Sequence, residues 1–389
     1  MNLAVVGCGY ISGSYGKTLG NYPQLTLVGA YDRDASRLRI FRDRWGGRAY
    51  DSLEQVLGDP AVEMVLNLTN PREHYDITKR CIEAGKHVYS EKPLAMEAAR
   101  ARELVVLARQ KNVAIASAPC SMLSETAQTL WKAVRGNVIG RVRLVYANFD
   151  DGMIAPRQSP RQWQNESGLY WPAKDEFEVG CTYEHAGYVL TWLAALFGPA
   201  LRMTSFASCQ IPDKGIPVAS MAPDFAVGCI EYGGGVVARV TCSLVAPHDK
   251  SLTVIGDDGV LAVANVRNDS GAVKLRRIPS RRWQARIERR INTVRRRLKF
   301  PGAESEWHMW EKYPLVGQTH GRVASPDKPV DFSRGPAELA NAIVEKRPCR
   351  LSPELGWHIA ELVERLQYPE RFCSRDVESR FAPIEPLYA

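Results

Sequence analysis

Residues 1–32 constrain this chain more than any other stretch. Leu3-Ala4-Val5-Val6 is a short uncharged apolar run, the pattern of a strand buried on both faces. It runs into Gly7-Cys8-Gly9-Tyr10-Ile11-Ser12-Gly13 and a segment of helical length ending near Gly20. A second apolar run, Leu25 to Tyr31, stops at Asp32. Strand, Gly-rich turn, helix, strand and acid, in that order, are the layout of a dinucleotide-binding unit, whereas an ordinary βα turn has no need of the acid. Gly7 permits the tight turn, and Gly9, without a Cβ, lets the backbone approach a pyrophosphate. The helix opened by Tyr10 and Ile11 offers free N–H groups and a partial positive charge to that anion. Asp32, 23 residues past Gly9, stands where a carboxylate accepts hydrogen bonds from the adenosine ribose. Its charge repels a 2′-phosphate and favours NAD; the neighbouring Arg33 keeps NADP open. The third glycine position is Ser12, small enough for close helix–strand packing.

The same alternation continues. A helix over 35–44, a short one over 52–57 capped by Asp51 or Ser52, a buried strand Val62–Leu68 and a helix His74–Ala84 closed by Gly85 follow. Then come a strand His87–Ser90, a helix Met96–Lys111 and a strand Val113–Ala118. The expectation is a Rossmann-type, doubly wound parallel sheet over residues 1–120. Beyond it lie a helix Ser124–Arg135, a strand Arg141–Phe149, a Pro- and Trp-rich loop 151–178 and a helix Thr182–Leu196. Strands near 201–210, 225–232, 235–245, 251–255 and 259–264 and helices Pro336–Glu345 and Pro353–Gln367 complete the chain. Strands in series without intervening helices predict an α+β unit, residues 121–389, with a mostly antiparallel open sheet and a basic helical insertion at about 267–330.

Composition excludes more than it identifies. At 389 residues there is chain for two cores, and no apolar run reaches the roughly 18 residues of a membrane span. A first strand starting at residue 3 leaves no room for a signal peptide, and nine scattered cysteines contain no CxxC pair. A cytoplasmic protein with reduced thiols and no metal site is expected. The net charge of +8 is local: from Lys274 to Lys299 there are twelve Lys or Arg and one acid, Glu288.

Ala84-Gly85-Lys86-His87-Val88-Tyr89-Ser90-Glu91-Lys92-Pro93-Leu94-Ala95 closely resembles a signature of the Gfo/Idh/MocA family, relatives of glucose–fructose oxidoreductase and inositol dehydrogenase. Thr69-Asn70-Pro71 with His74 resembles the family's loop beside the cofactor. Gly198-Pro199 after an apolar helix, and the region of Arg347-Pro348 and Ser352, extend the likeness over nearly the whole chain. The resemblance implies an NAD(P)-dependent oxidoreductase acting on a sugar, cyclitol or nucleotide-sugar-like substrate. It implies cofactor contacts from Thr69, Asn70, His74, Glu91 and Lys92, and makes Lys92 the acid/base, followed by a commonly cis Lys–Pro bond. Near a cationic nicotinamide and partly desolvated, Lys92 is expected to have a lowered pKa and to exchange the substrate hydroxyl proton as hydride moves. A redox-neutral epimerase or lyase with tightly held NAD, and a non-catalytic nucleotide-sensing scaffold, are the alternatives.

The family's second motif, D-x-G-x-H, is altered here. Counting back from Gly198 puts Glu184 at the aspartate position and Tyr188 at the histidine position, within Glu184-His185-Ala186-Gly187-Tyr188. On an α-helix 184 and 188 share a face and 185 lies about 100° away. The site is therefore read as Glu184 and Tyr188, with His185 flanking it, or replacing them if the register is off by one. Cys120-Ser121-Met122-Leu123 stands where many relatives carry a basic residue. The loop Arg157–Glu178 reads as a substrate gate, in which Arg161, Trp163, Tyr170, Trp171 and Lys174 offer aromatic faces and cations to a sugar ring or an anionic group.

Within the basic insertion, Trp283, Ile287, Ile291, Val294 and Leu298 form an apolar helical stripe amid arginines over 281–299. It reads as a helix packed on its own sheet or on a subunit neighbour of a homo-oligomer. The other reading is an interfacial helix contacting an anionic membrane. Nucleic acid is not expected, because no nucleic-acid-binding module accompanies the charge.

Overall fold

The computed structural model describes residues 1–154, 163–278, 281–317 and 330–388. Strands β1 (Asn2–Val6), β2 (Thr26–Tyr31), β3 (Arg48–Ala49), β4 (Met64–Asn67), β5 (His87–Ser90) and β6 (Ile115–Ser117) pair in parallel in the order β3-β2-β1-β4-β5-β6. Between them run helices α1 (Ser12–Leu19), α2 (Ala35–Trp45), α3 (Leu53–Gly58), α4 (His74–Glu83) and α5 (Ala98–Lys111). The side chains of Asp34 and Ser52 accept backbone N–H groups at the starts of α2 and α3, which fixes where those helices begin. The order of strands reverses between β1 and β4, so a crevice opens at their carboxyl ends. The turn after β1 needs glycine: Gly7 has φ +95°, and a Cβ there would lie 2.7 Å from the Leu68 carbonyl carbon.

The second half begins with α6 (Glu125–Arg135), β7 (Val142–Asp150), α7 (Ala173–Val179) and α8 (Gly187–Phe197). Strands β8 (Arg202–Ser208), β9 (Phe225–Glu231), β10 (Val237–Ser243), β11 (Leu252–Gly256), β12 (Gly259–Val263) and β13 (Val273–Arg277) follow, then α9 (Arg282–Arg297) and β14 (Glu311–Lys312). An eight-stranded sheet results, in the order β14-β13-β12-β11-β7-β10-β9-β8, antiparallel except where β7 meets β10. The short strands β13 and β14 continue it past residue 264, where the apolar pattern of the sequence gave way to charge.

Helices α10 (Arg334–Val344) and α11 (Pro353–Gln367) close the described fold. α11 touches β6 and α5 on one side and β8, β9 and α8 on the other, so it is packed between the two sheets. One apolar core accordingly contains Leu3 and Tyr89 from the first sheet together with Val145, Val240 and Leu362. The region read as loop through 178 contains α7. The run Ala-Lys-Asp-Glu-Phe-Glu-Val lacks a β-branched residue until its end, places Asp175 and Glu176 in the first turn, where the helix dipole favours them, and stops at Gly180 with φ +97°.

Candidate active site

A cleft of about 390 Å³ opens at the carboxyl ends of β1, β4 and β5. Gly9, Tyr10 and Ile11 of the Gly-rich turn line it, with Thr69 and Asn70 after β4 and Glu91 and Lys92 after β5. The second half of the chain supplies the facing wall: Glu176, Glu184, His185, Tyr188, Lys250 and Arg267. A larger groove of about 820 Å³, between α5 and α11, is lined by none of these residues.

The charged centre of the cleft is built from three elements. Lys92 leaves β5 through a cis Lys92–Pro93 bond, and its ammonium is ion-paired with Glu184. Glu184 in turn accepts a hydrogen bond from the Glu176 carboxyl of α7. Burial pulls the Lys92 pKa down, but the carboxylates around it, Glu184 foremost, hold it above the ordinary lysine value. Burial pushes Glu184 up, and Lys92 outweighs it, so Glu184 stays below the usual carboxylate range. Glu176, desolvated and beside that negative charge, is held well above it and keeps its proton. The lowered lysine pKa expected from the sequence is thus reversed, because the protein surrounds this ammonium with carboxylates.

The backbone explains how Glu184, His185 and Tyr188 all reach the cleft. Residues Thr182–Ala186 form a π-helical turn that leads into α8. A π-turn holds more residues than an α-turn, so the 100° offset that separated His185 from its neighbours does not apply there. The rings of His185 and Tyr188 each stack on Phe149, at 5.0 and 5.1 Å. His185 Nε2 lies 3.3 Å from Asp151, which also takes the Lys250 ammonium at 2.5 Å. Burial pushes His185 down to about 4, so it is neutral at pH 7, while burial keeps the Tyr188 phenol protonated. The Arg267 guanidinium lies over the Tyr188 ring at 4.9 Å. The either/or between Glu184 with Tyr188 and His185 is removed by one extra residue in a turn.

On the other side of β1, Asp32 lines a second cavity of about 170 Å³ with Gly7, Arg33, Arg37 and Arg80. Its carboxylate accepts the N–H groups of Cys8 at 2.6 Å and Asp34 at 2.8 Å, which holds it at the turn. These two cavities, joined by the Gly9 turn, are shaped for a dinucleotide: an acid at the adenosine end and Lys92 at the reactive end.

Residues 1–118 match the family model described as "Oxidoreductase family, NAD-binding Rossmann fold", and residues 127–262 match the GFO/IDH/MocA C-terminal domain. The chain belongs to the Gfo/Idh/MocA oxidoreductase family. Among its relatives are an uncharacterised oxidoreductase of Synechocystis, 24% identical over 68% of this chain and 72% of that protein. A mouse trans-1,2-dihydrobenzene-1,2-diol dehydrogenase is 26% identical over 67% of this chain and 73% of that protein. The fold matches levoglucosan dehydrogenase solved with NADH and levoglucosan, at TM-score 0.75 and 16% identity over 97% of this chain and 100% of that one. It also matches the aldose–aldose oxidoreductase of Caulobacter crescentus, at TM-score 0.72 and 16% identity over 95% and 97%.

Other sequence candidates of this Gfo/Idh/MocA member fall in different places. His74 is buried, its Nδ1 2.7 Å from the Pro93 carbonyl and its Nε2 2.9 Å from that of Thr69, so it ties two cleft loops together. Glu91 accepts the Tyr15 hydroxyl at 2.7 Å and the Lys92 N–H at 3.0 Å. Trp163 and Trp171 pack together at 5.2 Å and line the cleft, and Asn165 donates to the Tyr10 carbonyl at 2.8 Å, so this segment folds over the Gly-rich turn. Lys174 is not brought in: it is exposed, 4.0 Å from Glu178. Tyr170 is exposed as well. Arg161 lies outside the described residues. Cys120–Leu123 is buried, with Ser121 bonded to Trp192. Sequence reasoning missed Asp151, Glu176, Lys250 and Arg267, which come from four separate elements with no common spacing; the acidic run Asp175-Glu176 was the one local signal.

Proposed function

We propose that this protein transfers a hydride between a nicotinamide and a secondary alcohol or ketone carbon of a sugar- or cyclitol-like substrate, with Lys92 exchanging the proton. The observation that carries this reading is the enclosed Lys92–Glu184 pair, in one cleft with the Gly-rich turn, Tyr188 and His185. The residues of both cavities fit NAD: Gly9, Tyr10 and Ile11 would hold the pyrophosphate side, Asp32 the adenosine ribose, and Thr69, Asn70 and Glu91 the reactive end. Bound there, the nicotinamide supplies the two-electron acceptor or donor. The chain's own groups do the rest. Lys92, kept as an ammonium, is ready to give a proton to a ketone oxygen; for alcohol oxidation it must first lose one. Glu184 orients that ammonium, and the Tyr188 phenol and the neutral His185 ring form the wall against which a polyol lies. The solved neighbour that holds levoglucosan beside NADH supports the substrate class.

The test is a panel of polyols, sugars and their ketones incubated with NAD or NADH, with absorbance of the reduced cofactor as readout. Lys92→Met is expected to bind cofactor normally and to lower turnover by roughly 10²–10⁴, the usual worth of a positioned acid–base group. Full turnover in that variant would refute the role of Lys92.

A further inference from the structure

The helix α9 is turned the opposite way from an ordinary surface helix. Its buried side chains are polar: Gln284, Glu288 and Asn292. They are fastened to the segment that returns to β14. Gln284 donates to Glu311 at 2.7 Å, and the Met309 N–H donates to Glu288 at 2.8 Å. Asn292 exchanges two bonds with the Trp307 backbone, at 3.0 and 2.7 Å, and Arg295 donates to the Ser305 carbonyl at 3.0 Å. These bonds fix the helix rotation. The apolar stripe, for which the sequence left its own sheet, a subunit neighbour or an anionic membrane as cover, therefore faces out: Trp283 is 52% exposed, Val294 51%, Leu298 65% and the following Phe300 53%. Packing on its own sheet is thereby set aside: one face of the helix is claimed by side-chain hydrogen bonds to the strap that returns to β14, so the apolar face is left uncovered.

A third face completes the helix. At about 100° per residue, Arg286, Arg290 and Arg297 flank the stripe on the side away from the strap, whereas Arg282, Arg289 and Arg296 turn to the far side of the helix, about 140–180° from the stripe's centre. None of them is ion-paired among the described residues, and the lone acid, Glu288, points inward. Trp307 and Trp310 of the strap are also exposed, on the stripe's other flank. A second copy seated antiparallel on this face about a two-fold axis would set the arginine flank against its own mate. A surface that takes apolar side chains and is itself negative matches both halves of the pattern.

We propose that α9 docks on an anionic lipid bilayer, the stripe entering the headgroup boundary and the flanking Arg286, Arg290 and Arg297 facing the lipid phosphates and carboxylates. The docking leaves the cleft chemistry untouched, so it stands or falls apart from the catalytic reading. Full-length protein is sedimented with vesicles of phosphatidylcholine alone and of phosphatidylcholine mixed with phosphatidylserine. The bound fraction should rise by about tenfold with phosphatidylserine and fall back at about 1 M salt, where charges are screened beyond roughly 3 Å. Trp283→Ser with Leu298→Ser, both at exposed positions, should lower binding to the mixed vesicles by about tenfold or more at unchanged charge, with NAD binding retained. Arg290→Gln with Arg297→Gln should weaken it while leaving the apolar stripe intact. Equal binding to both vesicle types overturns the proposal. So does binding that the arginine variant loses and the Trp283/Leu298 variant keeps, which would mark a site for acidic polymers. A lower mass of the Trp283/Leu298 variant without lipid would assign the stripe to a second copy and overturn it too.

Discussion

Replacing Glu184 by Gln keeps the size of the side chain and removes the carboxylate that Lys92 faces. Two opposite charges in contact near a protein surface are worth about 4 kcal/mol at an effective dielectric of about 20, which is roughly a thousandfold in the proton affinity of Lys92. Glu176 complicates the single variant. Its proton is held by desolvation and by the Glu184 charge, so with Glu184 neutral it releases that proton more readily and partly replaces the lost carboxylate. Glu184→Gln should therefore show a fraction of the effect, and Glu176→Gln with Glu184→Gln the whole of it. The assay is the pH profile of turnover in both directions. Alcohol oxidation needs Lys92 without its proton, so its rate should climb with pH in the unaltered protein up to the alkaline limit of the measurement. In the double variant the climb should end about three pH units lower. Ketone reduction, which uses the ammonium directly, should instead begin to fail in that lower range. A double variant that still turns over with an unmoved oxidation limb would refute the argument, because the titrating group would then not be Lys92.

Two further expectations concern the cofactor and acid stability. Asp32→Ala removes a charged hydrogen-bond acceptor worth about 1.5–3 kcal/mol, so NAD should bind roughly 10- to 100-fold more weakly, while NADP, with Arg33, Arg37 and Arg80 close by, should gain; tighter NADP binding by the unaltered protein in a calorimetric titration would overturn the preference. His358 is buried with Nε2 accepting the Ala200 N–H at 3.1 Å and Nδ1 2.8 Å from Ser379, and burial pushes it down to about 4 from 6.5. The unfolded chain therefore takes up its proton first, and stability is lost as pH falls from about 6.5 to 4, by at most about 3 kcal/mol for this residue. Asp150 and Asp269, raised to about 6 by burial, act with the opposite sign, so the measurement is the difference between denaturant unfolding curves of the protein and of His358→Gln across that window. An identical pH dependence in the two would show that His358 is not a source of the loss.

Features that depend on neighbours along the chain could be read from the residues alone. The turn after β1, the acid ending β2, the cap of α3 and the Lys92–Pro93 signature are local patterns, each satisfied within a few residues, and they were legible with little more than spacing and side-chain size. Tertiary structure decided whatever depends on which strangers meet. Glu176 sits on α7, a seven-residue helix too short to carry a period, and only packing brings its carboxyl to Glu184. The Lys92 charge state followed from carboxylates 84 and 92 positions away, which no local rule counts. The π-turn at 182–186 put His185 in the cleft, because a turn's residue count is set by what the helix must pack against, here Phe149 and α11. The orientation of α9 was decided in the same way. Periodicity shows that a stripe exists, but which face turns inward depends on the partners available, and hydrogen bonds from Gln284, Glu288 and Asn292 to the strap outcompeted burial of the stripe.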